Sequence, residues 1–120
     1  MKARANLTAL IDPYRSETER EWAEGNGMLY VSLEFDGARV LRMDYEPETF
    51  NLPGEKYTPD FRCILETGRV IFVEIKGSKK QKGYRDARSK LRAAAEWNPM
   101  YTFVEAVGGK DGFELEVIDG

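Results

Sequence analysis

Residues 57–76 constrain the fold more than any other stretch of this chain, because two β-type runs sit there on either side of a turn signal. Tyr57–Leu65 and Arg69–Lys76 flank Glu66-Thr67-Gly68, which predicts an antiparallel hairpin ended by Gly77. Side chains alternate between the faces of a strand. Ile71, Val73 and Ile75 therefore share one face, and Val70, Phe72, Glu74 and Lys76 share the other. Two opposite charges end an otherwise apolar stripe, and a charge near a core is costly unless it is paired or metal-bound. A Glu74–Lys76 surface pair at the strand end is one reading. The partner strand offers another: with a three-residue turn at 66–68, Leu65 pairs with Arg69 and Asp60 lies opposite Glu74 on the same face. A two- or four-residue turn breaks that register. Adjacent carboxylates repel, and the usual relief is a shared proton or a divalent cation.

The remaining elements predict an α/β fold. Ser16-x-x-Glu19 forms a capping box opening a helix through about Glu24, which Gly25-Asn26-Gly27 ends or interrupts. Leu29, Val31, Leu33 and Phe35 alternate with Tyr30, Ser32 and Glu34 ahead of Asp36-Gly37 and Val40, Leu41 and Met43, which predicts another hairpin. A continued helix from Met28 to Phe35 is the lower-ranked alternative. Tyr45–Leu52 reads as extended, punctuated by Pro47 and Pro53. Tyr84–Trp97 predicts a basic amphipathic helix, with Leu91, Ala94, Ala95 and Trp97 on one side and Pro99 preventing continuation. Strands Tyr101–Val107 and Phe113–Ile118, joined through Gly108–Gly112, complete a mixed central β-sheet flanked by helices. At 120 residues and 42% hydrophobic, one domain over 1–120 is expected, with 1–14 as an N-terminal arm.

Composition then narrows the chemistry. The chain has no His and one Cys, Cys63, which excludes His-dependent triads and metal sites for the chain acting alone, an internal disulfide and a Cys-rich zinc site. Cys63 reads as a buried small residue, since no base is present to activate it. Chemistry falls to carboxylates, Lys, Arg, hydroxyls or oxygen-bound Mg²⁺, and carboxylate-held Mg²⁺ with a nearby Lys meets the needs of phosphodiester hydrolysis. No run approaches the ~20 apolar residues of a membrane span, and the N-terminus lacks a signal pattern, so a cytoplasmic location without a membrane partner is expected.

The net charge of −3 conceals an uneven distribution: Lys76 to Arg92 holds eight basic residues and one acid, Asp86, and the rest of the chain is strongly acidic. Concentrated positive charge is what a polyanion site needs. Lys79, Lys80, Lys82, Arg85, Arg88 and Lys90 are the expected phosphate contacts, with a solvated helix face as the alternative. Tyr84, Trp97 and Trp22 are candidates for base stacking or for core and rim packing. Glu46 and Glu48 flank Pro47 near the same sheet, where either supports the site or lies on the surface.

Pro59-Asp60, a 13-residue spacer and Glu74-Ile75-Lys76 resemble the motif of the PD-(D/E)XK nuclease superfamily. The wider series is similar to the phage endonuclease I-type Holliday junction resolvases, related small phage nucleases and the nuclease subunits of some transposases. It comprises Tyr57-Thr58-Pro59-Asp60-Phe61, Phe72-Val73-Glu74-Ile75-Lys76-Gly77, Asp86, Lys90 and a helix ending in Asn98-Pro99, and the likeness covers residues 57–107. The resemblance implies a restriction-endonuclease-like core and a Mg²⁺-dependent DNA endonuclease, with Mn²⁺ as substitute. It also implies selectivity for branched DNA such as Holliday junctions, a homodimer and a phage origin. By resemblance Asp60 and Glu74 are metal ligands, Ile75 lends its carbonyl and Lys76 is the catalytic lysine. Glu19, in Arg15-Ser16-x-x-Glu19, adds a further carboxylate to the catalytic metal site, a role compatible with the capping box. Residues 25–42 do not map onto the family's longer helix. Two other readings remain: a non-catalytic DNA-binding or partner-docking module of the same fold, and the nuclease subunit of a transposition or repair complex.

Overall fold

Period-2 apolar runs place five strands in one mixed sheet, in a computed structural model that describes residues 13–119. These are β1 (Val40–Tyr45), β4 (Phe61–Leu65), β5 (Val70–Lys76), β6 (Thr102–Gly109) and β7 (Gly112–Ile118), in the order β1-β4-β5-β6-β7. β5 and β6 run parallel, and the other pairs are antiparallel. A parallel pair needs a crossover, here α3 (Tyr84–Trp97). β2 (Phe50–Leu52) and β3 (Glu55–Tyr57) form a separate two-stranded pair. Of the arm expected at 1–14, all but Pro13 and Tyr14 lies outside the described residues. Among the described residues no helix is long and apolar enough to cross a membrane.

Each sheet face has its own apolar layer. On one side α1 (Glu17–Glu24) and α2 (Gly27–Glu34) set Trp22, Val31 and Phe35 against Phe61, Cys63, Ile71, Val73, Ile75 and Val104. On the other, Leu91 and Ala94 of α3 and the β2–β3 pair cover Phe72 and Phe103. Burial pushes the Cys63 thiol up to about 12, which suits a packing role. The α1 cap forms as its sequence dictates, with the Glu19 N–H donating to Ser16 Oγ at 3.2 Å. Gly27 is needed because a Cβ there would stand 2.5 Å from the Trp22 carbonyl oxygen and 2.8 Å from its indole.

Two expectations are corrected. The alternating run 29–35 is a helix, not a strand of a hairpin: Gly27, Val31 and Phe35 are buried at helical spacing while Leu29 and Leu33 are 54% and 68% exposed. Val31 and Phe35 fit either period, so the leucines alone produced the strand signal. Asp36 and Gly37, with φ of 58° and 77°, end this helix, and β1 pairs with β4 instead. The run Tyr57–Leu65 is likewise two strands. Pro59 has no N–H for a ladder, and the chain leaves the β2–β3 pair at Tyr57 before entering the main sheet at Phe61.

In a strand Val31 and Leu33 would share a face, whereas in α2 they do not. Val31→Ala is therefore expected to cost about 1–3 kcal/mol. Leu33→Ala should stay within about 0.5 kcal/mol. Urea denaturation midpoints read both, and equal losses would restore the hairpin.

Candidate functional site

The β4–β5 turn sets the site. The Leu65 N–H donates to the Arg69 carbonyl at 2.9 Å, and Gly68, with φ of 89°, closes a three-residue turn. Ladder pairs run down to Phe61 opposite Val73, so Asp60 falls opposite Glu74, as the spacing predicts. Asp60 is just past the strand end, where its Oδ2 accepts the Ile75 N–H at 2.7 Å. In an extended residue N–H and C=O point to the same edge, so the Ile75 carbonyl opens toward Asp60 as well.

Glu74 is 7% exposed. Its Oε1 accepts the Tyr57 hydroxyl at 2.6 Å, and its Oε2 meets Lys76 Nζ at 3.1 Å. Burial raises the Glu74 pKa, with Tyr57 and Lys76 pulling the other way. Asp60 is pushed up to about 8, first by burial and then by the charge of Glu74, against the Ile75 N–H. Burial and then Glu74 hold the Tyr57 hydroxyl well above the usual phenol range. The site is thus a pair of facing carboxylates with one ammonium between them and the chain surface.

Glu19 approaches from the other layer. Its Oε1 accepts the Tyr45 hydroxyl at 2.7 Å and the Arg15 N–H at 3.2 Å. Its charge contributes to the rise at Asp60, yet among the described residues no three acidic or thiol groups cluster as a metal site. The structure joins Asp60, Glu74, Ile75 and Lys76 and leaves Glu19 beside them. Two carboxylates suffice for Mg²⁺, which keeps several waters. Hard oxygen donors facing one another, whose joint ionisation is opposed by burial and by mutual repulsion, fit such an ion. Glu46 is half-buried and pairs with Arg15 at 3.2 Å, while Glu48 is exposed and lies 3.4 Å from Arg62.

Tyr57 and Glu105 were missed in the sequence. Glu105 is 1% exposed and pairs in register with Glu74 on β5 and with Glu116 on β7. A transverse row of acids thus runs on the α3 face from Asp60, at the end of β4, across Glu74, Glu105 and Glu116 on three strands. The available signal was a repeated tripeptide, Phe72-Val73-Glu74 and Phe103-Val104-Glu105, which the parallel register sets side by side. Glu105 Oε1 accepts from the Tyr84 hydroxyl at 2.8 Å and Arg88 Nη1 at 2.9 Å, and its Oε2 has no hydrogen-bond partner.

The basic segment divides. Lys79, Lys80 and Lys82 are exposed in the β5–α3 loop, where the Gly77 N–H donates to Gln81 Oε1 at 3.0 Å. Arg85 is exposed, and Lys90 lies 3.7 Å from Asp86. Arg88, an expected phosphate contact, instead turns to the sheet, where Glu105 and both oxygens of Glu116, at 3.2 and 2.7 Å, occupy its donors. Trp22 is core, Tyr84 is half-buried beneath Arg88, and Trp97 is 61% exposed. Comparison of the chain with protein-family models, curated proteins and solved structures returns no match.

A carboxyl whose pKa is raised on folding stabilises the fold while protonated, and that contribution is lost as pH rises from the unfolded value toward the folded one. For metal-free protein, Asp60 thus predicts a melting temperature that falls between about pH 5 and 8. Asp44 and Glu116, lowered by bonds to Arg62 and Arg88, lose their contributions only at more acid pH. Asp60→Asn should flatten the decline and melt about 5 °C or more above wild type at pH 8. An unchanged profile would show that the pair is not strained.

Proposed function

We propose that this chain is a Mg²⁺-dependent DNA endonuclease of restriction-endonuclease-like fold that hydrolyses phosphodiester bonds at the Asp60, Glu74 and Lys76 site. The observation that carries the reading is the facing carboxylate pair of buried Glu74 and half-buried Asp60, with Lys76 Nζ 3.1 Å from Glu74, at the strand end from which the lysine-bearing loop departs. When bound, the metal ion neutralises charge on the phosphoryl group and favours the ionised form of an attacking water. Asp60, Glu74 and the Ile75 carbonyl would hold it. Tyr57 fixes the Glu74 carboxylate through its hydroxyl. Lys76 is tethered to Glu74 yet keeps donors free, so it serves to orient the nucleophilic water or to stabilise developing charge on a phosphoryl oxygen. Lys79, Lys80 and Lys82, exposed and adjacent, draw the backbone of the substrate to this end of the sheet. Preference for branched DNA and a homodimer, with one site for each strand cut, belong to the proposal through the motif resemblance.

Cleavage of a labelled four-way junction and its linear duplex control, in Mg²⁺ and in EDTA, tests the proposal. Wild type is expected to cut the junction only with metal. Asp60→Asn should cut at least about a hundredfold more slowly while still binding. Full activity in that variant would exclude the assigned site, and equal cutting of both substrates would remove the selectivity.

A second reading draws on one observation, that Glu74 already has a hydroxyl and an ammonium as partners. In a non-catalytic DNA-binding module those bonds would be the whole purpose of the carboxylates. Calorimetric titration with Mg²⁺ or Mn²⁺ separates the two: a nuclease shows binding that Asp60→Asn abolishes, and a binding module shows none at these residues. Inactivity alone, with activity restored by a partner, would instead mark the nuclease subunit of a larger complex.

A further inference from the structure

Along the flank of α3 a depression of about 260 Å³ is lined by Tyr84, Arg85, Arg88, Ser89 and Arg92, with no carboxylate among them. Its floor and its rim differ. Arg88 is fixed against Glu105 and Glu116, so its charge is already answered from below. Arg85 and Arg92 are exposed and, among the described residues, make no ion pair or hydrogen bond. Glu116 and Asp119 line an adjoining depression with Arg88 and Arg92, and Arg92 helps to lower the Glu116 pKa, after Arg88 and Lys79. Arg88 meets both Glu116 oxygens, so the two outer guanidinium groups form no ion pair with that carboxylate.

Arg85, Ser89 and Arg92 stand at i, i+4 and i+7, which places them on one stripe of the helix. At ~1.5 Å per residue the two arginines are separated by about 10 Å along the axis. That is close to three base-pair steps of ~3.4 Å. Guanidinium groups suit phosphate oxygens through paired N–H donors, and a hydroxyl between them adds a neutral donor.

We infer that this stripe is a second phosphate-binding subsite, which grips the backbone of a duplex arm flanking the cut while the Lys79–Lys82 loop serves the scissile phosphate. The inference rests on the DNA reading of the Asp60 site and adds Ser89 and Arg92 to the contacts. Arg88 acts in it as a positioning residue: by tying α3 to the acid row it fixes the stripe relative to Glu74. Tyr84, bonded to the same Glu105 oxygen, anchors the first turn of the helix beside that row.

Fluorescence anisotropy with a labelled four-way junction, in EDTA and across a salt series, tests it. Wild type is compared with Arg92→Gln, with Arg85→Gln/Arg92→Gln and with Lys110→Gln on the β6–β7 turn, each checked for folding by thermal melting. The double variant is expected to bind about tenfold more weakly, with a salt slope lower by about 2. Arg92→Gln alone should lower the slope by about 1, and Lys110→Gln should match wild type. A double variant with wild-type affinity and slope overturns the subsite and leaves the Asp60 site standing. Wild type that binds no DNA at any salt overturns both. Wild type that binds, with the expected variant defects but no metal-dependent cutting, supports the subsite and removes only the nuclease.

Discussion

Burying Glu74 and Glu105 side by side on the two central strands is the constraint around which the rest of the structure is arranged. A lone carboxylate in such a setting is strongly disfavoured, because the protein interior replaces water poorly. Three separate elements relieve it. The β2–β3 pair delivers the Tyr57 hydroxyl, the end of β5 delivers Lys76, and α3 delivers Tyr84 and Arg88. None of these reaches the free Oε2 of Glu105 or fully offsets the charge of Asp60. The fold therefore retains unbalanced acidic groups at one end of its sheet, beside the surplus positive charge of the segment Lys76–Arg92.

That surplus is divided by depth. The segment Lys76–Arg92 reads in sequence as a single basic run, but folding assigns its charges to different tasks. Lys76 and Arg88 face inward and pair with acids, whereas the loop lysines, Arg85 and Arg92 face outward. Net charge along a segment measures its possible attraction; only the side-chain directions of the loop and helix convert it into a surface potential.

The site was legible where local rules act without competition. The Glu66-Thr67-Gly68 turn fixed the β4–β5 register, and that register alone brought Asp60 to Glu74. Tyr84–Trp97 was readable to the residue, because strong helix formers end at Asn98-Pro99. Legibility failed where two periods coincide or where a partner is distant in sequence. Val31 and Phe35 satisfy strand and helix spacing alike, and exposed Leu29 and Leu33 reinforced the wrong one. Pro59 divided a run that alternation alone would continue. Glu105 sits in a strand whose parallel neighbour lies across the α3 crossover, so no hairpin turn announces the contact.

The break at Thr58-Pro59-Asp60 has a consequence for how the site is tensioned. Tyr57 and Asp60, which contact Glu74 and Ile75 respectively, belong to one short segment spanning two sheets. Tyr57 is held by its ladder with Phe50, and Phe61 by its ladder with Val73. Between them the buried Pro59 restricts the backbone with its ring. The segment is thus pinned at both ends, and through it the small β2–β3 pair is joined to both sides of the carboxylate pair, Tyr57 contacting Glu74 and Asp60 the Ile75 N–H. The β4–β5 register brings the two carboxylates opposite each other, and this segment ties that register to the small β2–β3 pair.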